Sequence, residues 1–110
     1  MNIVFKNEDR LLRVELTEEI DHHTAEKIRR RVDYEIERYL PRKVVFDFGG
    51  VSFMDSAGIG MIIGRYKLIS ILGGKMQIMN IKPQVEKVLK MSGILKIIDI
   101  YKEGAASQSV

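Results

Sequence analysis

Apolar and polar positions alternate at the start of the chain. Ile3 to Phe5 is apolar, Asn7-Glu8-Asp9 is a turn cluster, and Leu12, Val14 and Leu16 alternate with Arg13 and Glu15. A period of two with one wet face marks a strand, so residues 3 to 16 predict a hairpin, with both strands at or near a sheet edge. The period then lengthens. Ala25, Ile28, Val32, Ile36 and Tyr39 recur at three and four, which puts them on one face of a helix. Asp21 stands before this run as an N-cap, because its carboxylate can accept from the free amides of the first turn. Pro41 stops the run, because a residue before proline avoids the helical region. The helix is expected over 22 to 39.

Val44 to Phe48 is β-branched and aromatic, nearly continuous, and closed by Gly49-Gly50. Such a run predicts a central strand covered on both faces. After the connector Val51 to Met54, a second helix is expected over 57 to 72, closed by Gly73-Gly74. A strand over 75 to 81 follows. Pro83 opens a third helix where its missing amide costs nothing, and Ser92-Gly93 ends it. Residues 97 to 100 form a last short strand. The order is β-β-α-β-α-β-α-β, an α/β fold with a mixed, mostly parallel sheet packed by helices. In such sheets functional groups gather where strand C-terminal ends meet helix N-termini. Three segments reach that edge: Thr17 to His23, Gly49 to Gly60 and Asn80 to Gln84.

Length and charge narrow the setting. At 110 residues the chain is one domain, expected over 1 to 103, with a small polar tail over 104 to 110. Lys plus Arg is 18 and Asp plus Glu is 15, so the net charge is 18 − 15 = +3, a value suited to solubility rather than to nucleic-acid binding. The absence of cysteine excludes a disulfide framework, a thiolate zinc site and a cysteine nucleophile. The charged N-terminus does not read as a signal peptide. The apolar stretch Ile59 to Leu72 is broken by Arg65 and Lys67, short of the ~20 residues that span a bilayer. A soluble cytoplasmic domain without a membrane partner is expected.

Ser56 stands out among candidate groups. Its plain reading is the N-cap of the second helix. Gly58 and Gly60 in the first turn ask for more, since each costs up to about 1 kcal/mol against alanine. A bare first turn lets another surface approach the backbone and the hydroxyl. A hydrolase elbow would need a glycine before the serine as well, and Met54 stands there. The only histidines are His22 and His23, and a triad needs an oriented base and an oxyanion hole. The spacing of Gly58, Gly60 and Gly64 misses the dinucleotide pattern by one residue. Asp21, Asp47 and Asp55 near one edge suggest Mg²⁺, although capping, loop and strand-end roles account for them more simply. The tandem His22-His23 is a poor metal pair on a helix. Arg29-Arg30-Arg31 is interleaved with acids and reads as a solvated face.

The second helix is unusually apolar. Ile59, Ile62, Ile63, Tyr66 and Ile69 make a core stripe, and Met61, Leu68 and Ile71 fall off it. Apolar residues off the core face suggest a partner surface; a more deeply buried helix explains them equally well.

The stretch Val44-Val45-Phe46-Asp47-Phe48 through Met54-Asp55-Ser56-Ala57-Gly58-Ile59-Gly60 resembles the signature of the bacterial anti-sigma factor antagonists, the STAS-domain family. The family pattern is a hydrophobic strand carrying an aspartate, a short apolar link, then D-S-small-G-apolar. Leu16 to Asp21, followed by Ala25, resembles a second family stretch, and the likeness covers about 3 to 101. The whole sequence is most similar to the family's sporulation branch, which serves sigma F.

This resemblance implies a non-enzymatic module that works by partner switching. The motif serine, here Ser56, is phosphorylated by the anti-sigma factor, an ATP-dependent serine kinase. The unphosphorylated form binds that kinase and frees the sigma factor, and a metal-dependent phosphatase restores it. Ala57 stands where a second hydroxyl is common, leaving Ser56 the sole acceptor in the motif. The expected partner surface is Asp21, Asp55, Ser56, Ala57, Gly58, Ile59 and Gly60, extended by Met61 and Leu68. No catalytic residue, cofactor, metal or direct nucleic-acid contact is implied. The competing reading is a small serine hydrolase or nucleotide-handling enzyme using Ser56 and Asp55.

Overall fold

The computed structural model describes residues 1–101, so the expected tail over 104 to 110 lies outside the described residues. The opening alternation forms a hairpin of β1 (Asn2–Lys6) and β2 (Leu11–Glu15), paired antiparallel. Then come α1 (His22–Tyr39), β3 (Lys43–Asp47), α2 (Ser56–Ile71), β4 (Lys75–Met79) and α3 (Pro83–Ser92). A single 3-10 turn (Ile94–Lys96) precedes β5 (Asp99–Tyr101).

The strands lie in the order β1-β2-β3-β4-β5, and β2 through β5 are parallel. A sheet laid down in chain order by right-handed crossovers receives every helix on the same face. The core has that form. Leu12, Val14, Val44, Phe46, Met76 and Ile78 meet Ile28, Val32 and Ile36 of α1, Ile62 and Ile69 of α2, and Val85 and Leu89 of α3.

Several expectations about the sheet change in the folded chain. β3 is not covered by helices on both faces. Val45 is 8% exposed yet stands outside the continuous core. It and Asp47 are shielded by their cross-strand neighbours, Arg13 and Gln77 beside Val45 and Glu15 and Met79 beside Asp47. The hairpin lies where expected, with β1 at the sheet edge and β2 next to it, held between β1 and β3. β4 ends at Met79 rather than residue 81, because Asn80 turns into the left-handed region with φ 56°. The last strand starts at Asp99 rather than 97, because the Ile97 and Ile98 amides still donate back to the Ile94 carbonyl, closing the end of the 3-10 turn.

Candidate functional site

Two loops at the C-terminal edge of the sheet are stitched together. The Leu16 amide donates to the Asp47 carbonyl across 2.9 Å. Farther out, the Ile20 amide donates to Phe53 at 2.9 Å and the Asp55 amide donates to Ile20 at 3.0 Å, around a parallel bridge between Ile20 and Met54. The backbones come so close that a Cβ on Gly50 would lie 2.9 Å from the Leu16 carbonyl oxygen and from the Thr17 Cα. Asp47 anchors the third loop as well. Its carboxylate accepts from the Gly49 amide at 2.9 Å and from Asn80 Nδ2 at 3.2 Å, and pairs with Arg13.

Both helix starts emerge from this ladder. Asp21 caps α1 as expected, accepting from the Thr24 amide at 2.9 Å, while the Thr24 hydroxyl accepts from the Asp21 amide at 2.8 Å. This reciprocal box satisfies two orphan donors. The Thr24 amide and hydroxyl, together with the nearby His23, hold the Asp21 carboxyl below its ordinary value. The cap of α2 is Asp55, not Ser56. Asp55 Oδ1 accepts from the Ala57 amide at 2.8 Å, which makes Ser56 the first helical residue. With the capping bond supplied by its neighbour, the Ser56 hydroxyl is exposed and has no hydrogen-bond partner among the described residues.

The other expected partner residues divide. Ala57 and Ile59 are half-buried, and Gly60 is exposed with open space where a Cβ would stand. Gly58 is buried for a packing reason: its Cβ would lie 2.2 Å from Met54 Cγ and 3.0 Å from Ile20 Cγ2. The expectation that Met61 lies off the core is corrected, since it is 4% exposed and part of the core. Leu68 is half-buried against that core, and Ile71 is exposed. The cause is α1 packing on the flank of α2. The buried arc of α2 therefore turns to Gly58, Met61, Ile62, Arg65 and Ile69.

Sequence reasoning missed the group that joins the two helices. Arg65 is 7% exposed, and its Nε lies 2.6 Å from Asp33 Oδ1 on α1. The contact is an ion pair off the hydrogen-bond direction, because neither atom has a hydrogen-bond partner. Burial raises the Asp33 carboxyl against the opposing pull of Arg65, and burial lowers the Arg65 guanidinium. The signal was an arginine inside an apolar helix, which has to find a carboxylate.

The enzymatic readings gain nothing from this geometry. No hydrogen bond joins Ser56 to His22 or His23 among the described residues. Asp21, Asp47 and Asp55 are each engaged in caps or loop bonds, and no group of three His, Asp or Glu among the described residues could hold a metal. No described helix is long and apolar enough to cross a membrane.

The comparisons agree with the signature around Ser56. The model of the STAS domain matches residues 2–106. An anti-sigma F factor antagonist from Paenibacillus polymyxa is 43% identical over 91 residues, covering 83% of this chain and 78% of the relative. The structure of the anti-sigma factor antagonist SpoIIAA in its unphosphorylated form superimposes with a TM-score of 0.77 at 28% identity, covering 98% of this chain and 95% of that one. The Bacillus cell fate determinant SpoIIAA in the phosphorylated form gives 0.72 at 26% identity, covering 98% and 96%. The shared motif, the strand order and these likenesses together place the chain in the STAS-domain family.

Proposed function

We propose that this chain is an anti-sigma factor antagonist whose partner binding is switched by phosphorylation of Ser56. The observation that carries the reading is the free Ser56 hydroxyl, exposed at the first position of α2 because Asp55 has taken over the capping bond. In the transfer, Ser56 Oγ attacks the γ-phosphorus of ATP held by the partner, the bond to ADP breaks, and the hydroxyl proton passes to a base on the kinase. The partner is an anti-sigma factor with serine kinase activity, and the phosphatase that removes the group completes the cycle. The relatives named anti-sigma F factor antagonists support sigma F as the factor released; a role in sporulation and a place in the cytoplasm belong to the same proposal. The unphosphorylated surface consists of Asp21, Asp55, Ser56, Ala57, Ile59 and Gly60, with the outer part of Leu68 beside it. Gly58 shapes that surface from below, and Met61 supports it from the core.

The test is intact mass after incubation with the cognate kinase and ATP. One added phosphate, absent in Ser56→Ala, is expected. Turnover of an ester or nucleotide by the pure protein, without phosphate gain, would replace this reading with an enzymatic one.

A further inference from the structure

A groove of about 620 Å³ runs along the flank of α1 that faces the start of β1. It is lined by His23, Lys27, Arg30, Arg31 and Tyr34, with Met1 closing one side. These α1 positions recur at three and four, so they form one stripe, about 16 Å long at 1.5 Å per residue. Its charge is not balanced from within. The one carboxylate lining the groove is Glu26, and Arg29 and Arg30 already hold it, lowering its pKa to about 2. Lys27 and Arg31 are exposed one turn apart, and neither forms an ion pair among the described residues. Acidic residues stand before the stripe instead: Glu18, Glu19 and Asp21 precede α1, and Glu18 lines a small neighbouring pocket with Lys27 and Met1.

We propose that this stripe is a second docking surface, which takes an acidic, extended peptide segment of a protein partner. Spacing supports the match. One step of four residues along a helix rises about 6.0 Å, and two residues of an extended chain advance about 6.6 Å. Carboxylates at alternate positions of a strand-like segment therefore meet successive cations of the stripe. Tyr34, 61% exposed at its end, offers an apolar edge to the same segment. A peptide fits better than nucleic acid, because single strands call for a row of stacking aromatics and the stripe has only His23 and Tyr34, at its opposite ends, with Glu18 lining the pocket beside Lys27. The inference does not rest on the switch at Ser56.

The test is an amide-shift titration of the full chain with a hexaglutamate peptide. Saturable shifts confined to residues 23 to 34 are expected, weakening about tenfold on going to about 0.5 M salt. Lys27→Glu with Arg31→Glu should weaken binding about tenfold or more, and the milder Lys27→Gln with Arg31→Gln less so. Helicity by circular dichroism checks that both stay folded. Lys87→Glu with Lys90→Glu on α3 should bind as the parent does. Shifts spread over α3, a charge-reversed stripe that binds as before, or tighter binding of an oligothymidylate would overturn the proposal.

Discussion

The amide of Asp55 donates to the carbonyl of Ile20 across 3.0 Å, and the amide of Ile20 donates back to Phe53 across 2.9 Å. These bonds lie immediately before the two helices. Ile20 precedes the cap Asp21, and Asp55 is itself the cap of α2. The positive ends of both helix dipoles therefore meet at one place, each faced by its own carboxylate. A surface that closes on Ser56 is therefore expected to reach Asp21 as well.

Asp21→Asn separates capping from recognition. Asparagine caps as well as aspartate, so the melting temperature at neutral pH should change little while phosphorylation of Ser56 or partner binding weakens. The Thr24 amide bond, the largest influence, lowers the Asp21 pKa from 3.8. A depressed folded value adds stability that is complete above the unfolded value and lost as pH falls through the folded one. Between roughly pH 5 and pH 2 the parent should therefore lose more stability than Asp21→Asn. Unchanged phosphorylation kinetics at neutral pH would remove Asp21 from the recognition surface.

Gly58 and Gly60 should respond in opposite senses. Gly58→Ala drives a methyl into buried Met54 and Ile20, an overpacking expected to cost about 1–3 kcal/mol. Gly60→Ala meets nothing within 4 Å, so helix propensity should stabilise the fold by up to about 1 kcal/mol. The same methyl narrows the approach to Ser56 and should weaken partner binding. Urea denaturation and a binding isotherm measure the two effects separately. Equal stability losses in both variants would contradict the packing account.

The contrast between these glycines shows what the sequence could reveal. Two glycines in one turn signalled close approach, but which one served the core depended on Met54 and Ile20, the bridged residues of the two stitched loops. The boundaries of α1 were legible because cap, period and proline agree, and α3 was legible from Pro83 and Gly93. The face of α2 was not. Its residues are apolar nearly all round, so periodicity could not orient it. Only the contact with α1 placed Met61 and Arg65 inside. The accessibility of Ser56 at the start of α2 was legible, yet its role as cap passed to Asp55, because serine and aspartate are comparable caps and stand side by side. The single-sided cover of the sheet was implicit in the strand order, which local pattern does not reveal.

Arg65→Met should strand the Asp33 carboxylate. Breaking a buried pair from one side costs about 3–5 kcal/mol. The lower end is expected here, since the Asp33 side chain retains 22% exposure. Burial raises the Asp33 pKa, with Arg65 and Arg29 pulling the other way. An acid with a raised folded pKa contributes stability below its unfolded value and loses it as pH rises through the folded one. Removing the cation should deepen that loss, so the deficit of Arg65→Met should shrink as pH is lowered through the Asp33 titration. Asp33→Asn in the Arg65→Met background should recover part of it at neutral pH. A deficit of the same size at pH 7 and roughly pH 4 would assign the effect to the packed stem of Arg65 instead of its charge.

Phosphorylation of Ser56 should act by local charge without refolding. The group adds about −1.5 to −2 charges and three acceptor oxygens. At the first position of α2 those oxygens meet the positive end of the helix dipole, worth roughly 0.3–1 kcal/mol when exposed. Asp55 opposes this, because its carboxylate already occupies the Ala57 amide one residue away. The two influences oppose each other, so the fold should tolerate the group with little change in stability. A partner closed over Ser56 faces a different balance. It has to desolvate a dianion beside a carboxylate, which costs several kcal/mol unless the charge is paired. Each 1.4 kcal/mol is tenfold in affinity, so partial burial is enough to release the partner. Ser56→Ala should therefore remain folded, bind constitutively and resist the kinase. Ser56→Asp should bind less tightly, although one charge imitates two poorly. Backbone amide shifts on phosphorylation should be confined to the stitched loops over 17 to 23 and 49 to 60. Shifts running through β2, β3 and β4 would mean that the sheet itself rearranges, and the local mechanism would then be wrong.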